Sequence, residues 1–402
     1  MKRYLCSIII GMVVILSIGT YYVKVASSAS SLPKYTFKTL EGSDKELDPV
    51  IINASLQNGS NFYEPLTIES NTTTYESEKS YLENLTGRQG HEIERLVKEH
   101  RSFMRGKDSI SSLYEDDDFL AYAWVNSEYT KSGNMEAKFD IGLLEKKDEE
   151  ETSFQIELPN QGRIMNIDVR DVQLVHSKLQ VLTMNDVNSN NEKQTKEVHL
   201  YTIDVANKKV LSDKTLVSET FTDPEQVDFQ MPIDLAPSQP NNMVFISLIK
   251  GVNHEDGFEE KLKESKLLSY NYETEKVETV KKGSLSLDMA RSGYADGKNL
   301  YTVEMKSGKY RIKTFDLSSQ TLTNDTELDI AANKEEQYTA AFKNGRVYFL
   351  LNGMNQVGKT NKPAKLLIAD IKTGKTLYKG ETVINKKNSK SFGLYIEDLE
   401  IK

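Results

Sequence analysis

The chain has 402 residues, 38% hydrophobic and 28% charged, enough apolar material for one large or two ordinary folded domains. Its formal charge of −9, with no basic stripe to offset it, argues against nucleic acid as a partner, because that binding rests on cations that neutralise phosphates. The single cysteine, Cys6, lies in the first apolar run, so the folded part carries no disulfide, thiolate metal site or cysteine nucleophile.

Lys2 and Arg3 precede a run from Tyr4 to Val23 in which no residue is charged. Those 20 residues match the helix length that crosses a hydrocarbon core of about 30 Å. Tyr21 and Tyr22 stand where an interfacial aromatic pair would. Residues 1–25 therefore read as a signal-anchor, with the N-terminus cytoplasmic and the rest outside. Small residues from Ala26 to Ser31 offer an alternative, cleavage after Ala29 and secretion.

Residues 26–109 read as a linker, two strands and a helix. The strands begin at Pro49 and Tyr63. The helical stretch from Gly90 places Ile93, Leu96, Val97, His100, Phe103 and Met104 on one face, which predicts a short amphipathic helix packed on the following domain.

From residue 110 onward a repeat is visible. Apolar strands start at Phe119, Lys178, Asn242, Asn299 and Arg346, spaced 47–64 residues apart. Turns such as Asn344-Gly345 precede several of them. After four of them comes an alternating strand ending at Asp204, Asn271, Asp316 or Asp370, followed by a polar turn. An Asp or Asn there can accept from backbone amides two residues on, and Gly374 supplies a positive φ. One unit is thus strand, tight turn, strand, loop, strand, tight turn, strand: a four-stranded antiparallel sheet. Sheets in series predict an all-β β-propeller over residues 110–402, of five to seven four-stranded blades, with strands from 49–75 available to close it against the last strand.

The stretch Ile368–Leu377, reading IADIKTGKTL, resembles the propeller repeats of the quinoprotein and YVTN types. There a strand ending in Asp leads into a Thr-Gly-Lys turn. The resemblance implies architecture for residues 110 to 385 and carries no catalytic or cofactor motif, since such folds host many functions.

Two local strings suggest chemistry. Gly353, Gly358, Lys359 and Thr360 fit a phosphate-binding loop. That loop needs a buried parallel strand before it and a helix after it, whereas the residues that follow align with a strand, so no nucleotide is expected. Asp186, Asn188, Asn190 and Glu197 occupy positions 1, 3, 5 and 12 of a calcium-loop pattern, and calcium is the one cofactor the sequence offers. Both strings fall in the same slot, the middle hairpin of a unit. Four of the five middle hairpins read as expanded; only Lys306–Lys309 is tight. The long connection Phe221–Pro240 is expected on the same face. Long loops gathered on one face are where such a scaffold binds.

The remaining candidates are modest. Of the five histidines, His254 sits beside Glu255 and Asp256 in a polar loop, and His91-Glu92 does not continue into a zinc motif. The acidic run Glu115–Asp118 reads as solvated. Trp124, the lone tryptophan, sits inside a strand and reads as core. The expected protein is a membrane-anchored, extracytoplasmic bacterial propeller. It would bind a protein or envelope component through the long-loop face and the membrane through residues 4–23, or serve as a sensory accessory module. The alternative is a propeller hydrolase or lyase acting on a cell-wall or exported polymer.

Overall fold

The computed structural model describes residues 11–14, 16–17, 19–20 and 32–402, apart from 59–61, 70, 80–89, 132–134, 189–192, 232–236, 239, 241–242, 254–259, 281–292, 296–297, 317, 320, 333–336, 353–362 and 385–391. The expected membrane helix lies largely outside these residues, as does the segment around Ala29. Residues 11–14, 16–17 and 19–20 are helical. Among the described residues no helix is long and apolar enough to cross a membrane.

The elements follow one another as β1 (Tyr35–Gly42), β2 (Val50–Asn58), β3 (Phe62–Glu69), β4 (Thr72–Tyr75), helix α1 (His91–Glu99), β5 (Leu113–Glu115), β6 (Phe119–Tyr129), β7 (Met135–Glu145) and β8 (Glu150–Glu157). Next come β9 (Ile164–Val175), β10 (Lys178–Asn188), β11 (Lys193–Asp204), β12 (Lys209–Thr222), β13 (Glu225–Gln230), β14 (Met243–Asn253), β15 (Glu260–Asn271) and β16 (Lys276–Thr279). The last are β17 (Tyr294–Ala295), β18 (Asn299–Lys306), β19 (Lys309–Asp316), β20 (Thr321–Ala331), β21 (Gln337–Lys343), β22 (Arg346–Asn352), β23 (Lys365–Asp370), β24 (Thr376–Ile384) and β25 (Gly393–Ile401).

Five consecutive groups of four strands, β5–β8 through β21–β24, each form an antiparallel sheet in sequence order. A sixth sheet is composite, ordered β25-β2-β3-β4, with Val50 opposite Ile401 and Gln57 opposite Gly393. The protein is therefore all-β, with six sheets of four strands, an architecture compatible with a propeller. β1 adds a fifth strand outside β24. Its far edge is capped by side chains: Asn71 accepts from the Phe37 amide and donates to the Phe37 carbonyl, and Thr73 does the same for Tyr35. That satisfies backbone groups an edge strand would otherwise expose.

The contacts divide the chain into two compact units, residues 90–304 with 311–325, and residues 1–89 with 305–310 and 326–402. In the first, the sheets share apolar layers. Ala121, Ala123, Phe139 and Ile141 pack with Val172, Val181, Tyr201 and Ile203. On the other face of the β9–β12 sheet, Leu182 and Leu200 pack with Phe229, Ile246, Leu268 and Tyr270. Inner strands buried on both faces lose strict alternation, and Leu179 through Thr183 are all buried. Helix α1 covers the outer face of the β5–β8 sheet, where Ile93, Leu96, Phe103 and Met104 meet Leu113, Leu120, Tyr122 and Leu144. The helix ends at Glu99, and Phe103 and Met104 arrive from the turns that follow it. In the second unit, residues of β1–β4, β21–β25 and Ala364 form one layer that includes Tyr35, Leu56, Leu66, Leu350, Leu366 and Leu399.

Trp124 departs from expectation and is 38% exposed. It shares a face of β6 with Leu120 and Tyr122, which α1 and its following turns cover; Trp124 lies further along the strand and is not among that cluster.

Side-chain closure of the turn is present in all four repeats, but the amide all four accept lies three residues on rather than two. Asp204, Asn271, Asp316 and Asp370 each accept a backbone amide three residues on, from Asn207, Thr274, Ser319 and Thr373, at 2.7–2.9 Å. The amide of Ser319, with the hydroxyls of Ser319 and Ser318, holds the Asp316 carboxyl down at about 2. Four residues after the first, second and fourth of these, the backbone is left-handed, at Lys208 (φ 52°), Glu275 (φ 55°) and Gly374 (φ 69°). Lys and Glu tolerate this where the turn is open. At Gly374 a Cβ would stand 2.3 Å from Thr326 Cγ2 and 2.8 Å from the Glu327 carbonyl. Gly374→Ala should therefore lower stability by about 1–3 kcal/mol, read as a shift in the denaturant midpoint, whereas Lys208→Gly should be neutral or slightly stabilising.

Candidate functional site

The middle hairpins of the first three repeated sheets are long because their strands continue. β6 pairs with β7 out to Tyr129 opposite Met135, β10 with β11 out to Asn188 opposite Gln194, and β14 with β15 out to Asn253 opposite Glu260. The sequence stretches 126–138, 186–197 and 250–265, expected as loops, are thus mostly ladder. The reason is that side chains keep finding cover: the apolar Met135, Ala137 and Val187 are buried, and so is Thr195, whose hydroxyl meets that of Thr220.

The connection Phe221–Pro240 is also rearranged. β12 ends at Thr222 opposite Lys193, and β13 starts at Glu225 opposite Val252, so only Asp223 and Pro224 link the two sheets at the hairpin end. The longer run, 231–242, joins β13 to β14 at the opposite end. There Ser238 lies against β5, donating its amide to Leu113 and accepting from the Glu115 amide at 2.9 Å each.

Beside the β12–β13 link is a cleft of about 250 Å³. Phe221 and Val227 line it with Glu225, Lys250, Lys263 and Glu264. The charges are interleaved: Lys250 meets Glu219 at 2.6 Å, Lys263 meets Glu225 at 2.9 Å, Lys266 meets Glu264 at 2.7 Å and Lys196 meets Asp228 at 3.6 Å. Lys263 holds the Glu225 carboxyl below its ordinary range, and Glu264 raises the Lys266 ammonium. Pairs open to solvent are screened and weak, so a partner bearing charges can exchange with them at small expense. The arrangement suits recognition.

Of the calcium-pattern residues, Asp186 and Glu197 lie on opposite faces of the sheet. Asp186 lies opposite Lys196 and accepts from Asn166 at 3.4 Å. Glu197 lies opposite Asn185, one position along, and therefore on the other face of the sheet, where it binds His199 and Ser218. Asn188 is exposed at the strand end, and Asn190 lies outside the described residues. Gly353, Gly358, Lys359 and Thr360 also lie outside them. The strands on either side, β22 and β23, pair antiparallel, with Leu351 opposite Lys365.

Three polar clusters escaped sequence reading. Asp171, on β9, accepts from Ser238 Oγ at 2.5 Å, Tyr272 Oη at 2.6 Å and Gln173 Nε2 at 3.1 Å, and all four residues are buried. Their separations in sequence, up to 101 residues, leave no local signal. Glu115 is the second. It is buried, not solvated, and accepts from Arg95 and from Lys146 at 2.7 Å. Burial alone would raise its carboxyl, but the two cations outweigh it and hold it below the ordinary range. Asp116 likewise caps its own turn, accepting from the Asp118 and Phe119 amides. Glu99, His100 and Glu115 offer ligand atoms within 4.8 Å of one another, yet Arg95 already bridges both carboxylates. The third cluster surrounds His199, whose Nδ1 and Nε2 contact Asp213 at 2.7 Å and Glu197 at 2.8 Å. Of the other histidines, His91 opens α1, His100 closes it, and His176 occupies a left-handed turn position with φ 49°; His254 lies outside the described residues.

No protein-family model matches the chain, and no curated protein matches it. Solved structures similar to it include a prolyl endopeptidase, 12% identical over 88% of this chain and 42% of that one, with a TM-score of 0.33. This chain thus spans less than half of that enzyme's length. The Dos1 propeller is 8% identical over 67% of this chain and 70% of its own, with a TM-score of 0.29. A chain from a nidogen/laminin complex is 10% identical over 86% and 98%, with a TM-score of 0.28.

Removing the Asp171 carboxylate strands three buried donors at once. Asp171→Ala should destabilise the protein by about 2–4 kcal/mol in chemical denaturation, since each orphaned buried group costs about 1–3 kcal/mol and the site can relax in part. Glu225→Gln, on the exposed pair, should leave the denaturant midpoint essentially unchanged.

Proposed function

We propose that this chain is a membrane-anchored, extracytoplasmic β-propeller that binds a protein or another envelope component through the hairpin ends of its first three repeated sheets. The observation that carries this reading is the trio of long antiparallel arms, β6–β7, β10–β11 and β14–β15, each extended well beyond the tight Ser307-Gly308 turn of the fourth sheet. Ladder hydrogen bonds hold these arms in shape before any partner arrives, which lowers the entropy lost on binding. The cleft beside the third of them, about 250 Å³, falls below the roughly 300–1,000 Å³ usual for small-molecule sites. Exposed Glu128, Tyr129 and Lys263 instead offer a mixed charged and aromatic contact surface of the kind proteins and glycans use.

The anchor rests on the sequence: Lys2 and Arg3 followed by the uncharged run Tyr4–Val23. The residues beyond that run carry no cysteine, and a chain of this length supports its core without a disulfide.

Two measurements test the parts separately. Full-length protein should sediment with membranes and require detergent for release, whereas residues 32–402 should be soluble; recovery of both in the soluble fraction without detergent would remove the anchor. A photo-crosslinking side chain at Glu128 or Lys263 should capture a specific partner in cells, while the same group at Glu157, on the edge strand β8, should not. Equal labelling at all three positions would remove the arms as the binding surface.

A further inference from the structure

His199 occupies an interior position of β11 and is 8% exposed. Both of its ring nitrogens face carboxylates: Nδ1 meets Asp213 Oδ1 at 2.7 Å, and Nε2 meets Glu197 Oε2 at 2.8 Å. Each carboxylate has one further partner. Asn160 donates to Asp213 Oδ2 at 3.2 Å, and Ser218 donates to Glu197 Oε1 at 3.0 Å. The side chains themselves are 10–13% exposed, so water does little of the solvation.

With both acids as carboxylates, this geometry has one consistent protonation state of the ring. A neutral imidazole has one N–H and can donate to one carboxylate only; the other would face a ring lone pair. Two carboxylates at hydrogen-bond distance therefore require the imidazolium. The groups that face His199 from the strands of its own sheet supply no competing cation, and the β5–β8 sheet packed over that face brings apolar residues such as Phe139 against Tyr201. On β10 these are Thr183, directly opposite, and Asn185. On β12 they are Asp213 and Thr215, the latter 3.4 Å from Nε2. On β11 itself they are Glu197 and Tyr201, whose ring stacks on the imidazole and whose hydroxyl burial pushes up, beyond reach of ordinary pH.

We propose that the Glu197–His199–Asp213 bracket is a pH-sensitive latch that fastens edge strand β12 to its sheet and releases it as pH rises. β12 is held on one side only, by β11. Its ladder is already broken at this point, where Val198 pairs with Val217 but His199 pairs with Thr215, leaving Leu216 as a bulge. A bulge weakens local pairing, so the charged bracket is the tie that spans the defect. Through Asn160 it also ties the β8–β9 connection to β12.

The sign follows from linkage. Burial disfavours the imidazolium, but hydrogen bonds and attraction from Asp213 and Glu197 outweigh it, and the net shift is upward from the ordinary 6.5. The contribution of the latch is complete below about pH 6.5, where open and closed states both carry the proton. Between 6.5 and the raised folded value, opening releases a proton, and the opening constant grows about tenfold per pH unit. Above the folded value the latch contributes nothing more.

The test is a pH titration of the folded protein, following the His199 ring by NMR and the amide exchange of Thr215–Val217 by mass spectrometry. The expected results are a ring midpoint above 6.5 and an opening constant for β12, corrected for intrinsic exchange, that rises over that window. In Glu197→Gln the midpoint should move down and the window narrow. In His199→Gln the opening constant should lose its pH dependence. A wild-type midpoint at or below 6.5 overturns the latch, whether or not either variant folds. So does a β12 opening constant that stays flat with pH while the ring titrates, or one that rises identically in His199→Gln.

Discussion

The fold depends on one constraint: each inner sheet must bury both of its faces. In the β9–β12 sheet, Leu179, Val181, Tyr201 and Ile203 face one apolar layer, while Leu182, Val198 and Leu200 face another. A large apolar side chain fully removed from water contributes about 1.5–3 kcal/mol, several times an exposed ion pair. These layers therefore outweigh the interleaved charges at the surface. They also explain the repeat. A four-stranded sheet with two apolar faces is insoluble alone, and it becomes stable only with a like neighbour on each side or a substitute for one. At the β5–β8 sheet the substitute is α1, with Phe103 and Met104. At the chain ends the requirement is met by building a sheet from both termini, β25 with β2, β3 and β4.

The same constraint sorts the polar residues. Where a sheet is buried on both faces, a polar side chain survives only if it is matched. Asp171 is matched by three donors from three separate elements, and Glu115 by two cations. These clusters are buried because the architecture closes over them, and their chemistry is consumed by partners inside the protein. A carboxylate already satisfied by serine, tyrosine and glutamine has little capacity left for a substrate. That distinguishes them from the surface pairs Lys263–Glu225 and Lys250–Glu219, whose partners are reachable from solvent. Those surface pairs lie on β12–β15.

Architecture was legible in the sequence because it is periodic. The strands from Phe119, Lys178, Asn299 and Arg346 begin where the alternation begins, and the residues Asp204, Asn271, Asp316 and Asp370 close their turns through their own side chains, a local signal. Loop length was misread for a physical reason. Asn, Ser, Glu and Lys in 186–197 look like a loop by composition, yet Val187 and Thr195 alternate among them and are buried, which carries the ladder onward. The segment Phe221–Gln230 was misread similarly, since Asp223-Pro224 suffices as a link and the flanking residues alternate as strand. Trp124 failed because burial of a strand position is decided by what covers it, and α1 stops short. The polar clusters were not legible at all. Asp171 and Tyr272 meet across 101 residues, and nothing local to either announces the other.

The arms and the latch bear on each other through β11. At its start β11 belongs to the β10–β11 arm, and further along it carries His199. β12 runs beside it over nearly its whole length, from Lys193 opposite Thr222 to Asp204 opposite Lys209. Edge strand β12 therefore supports the arm from the side, and Glu219 on that strand reaches Lys250 of the neighbouring arm. Loosening β12 at the Leu216 bulge would free the far half of the strand, Val217–Thr222, which is the half that backs the arm. A strand end that is released costs its neighbour a row of hydrogen bonds and the cleft one of its walls, Thr220 and Phe221. In this proposal the charge of a single buried ring sets how firmly β12 backs the β10–β11 arm, and release also withdraws Phe221 and Val217 from the apolar layer they share with Phe229 and Ile246.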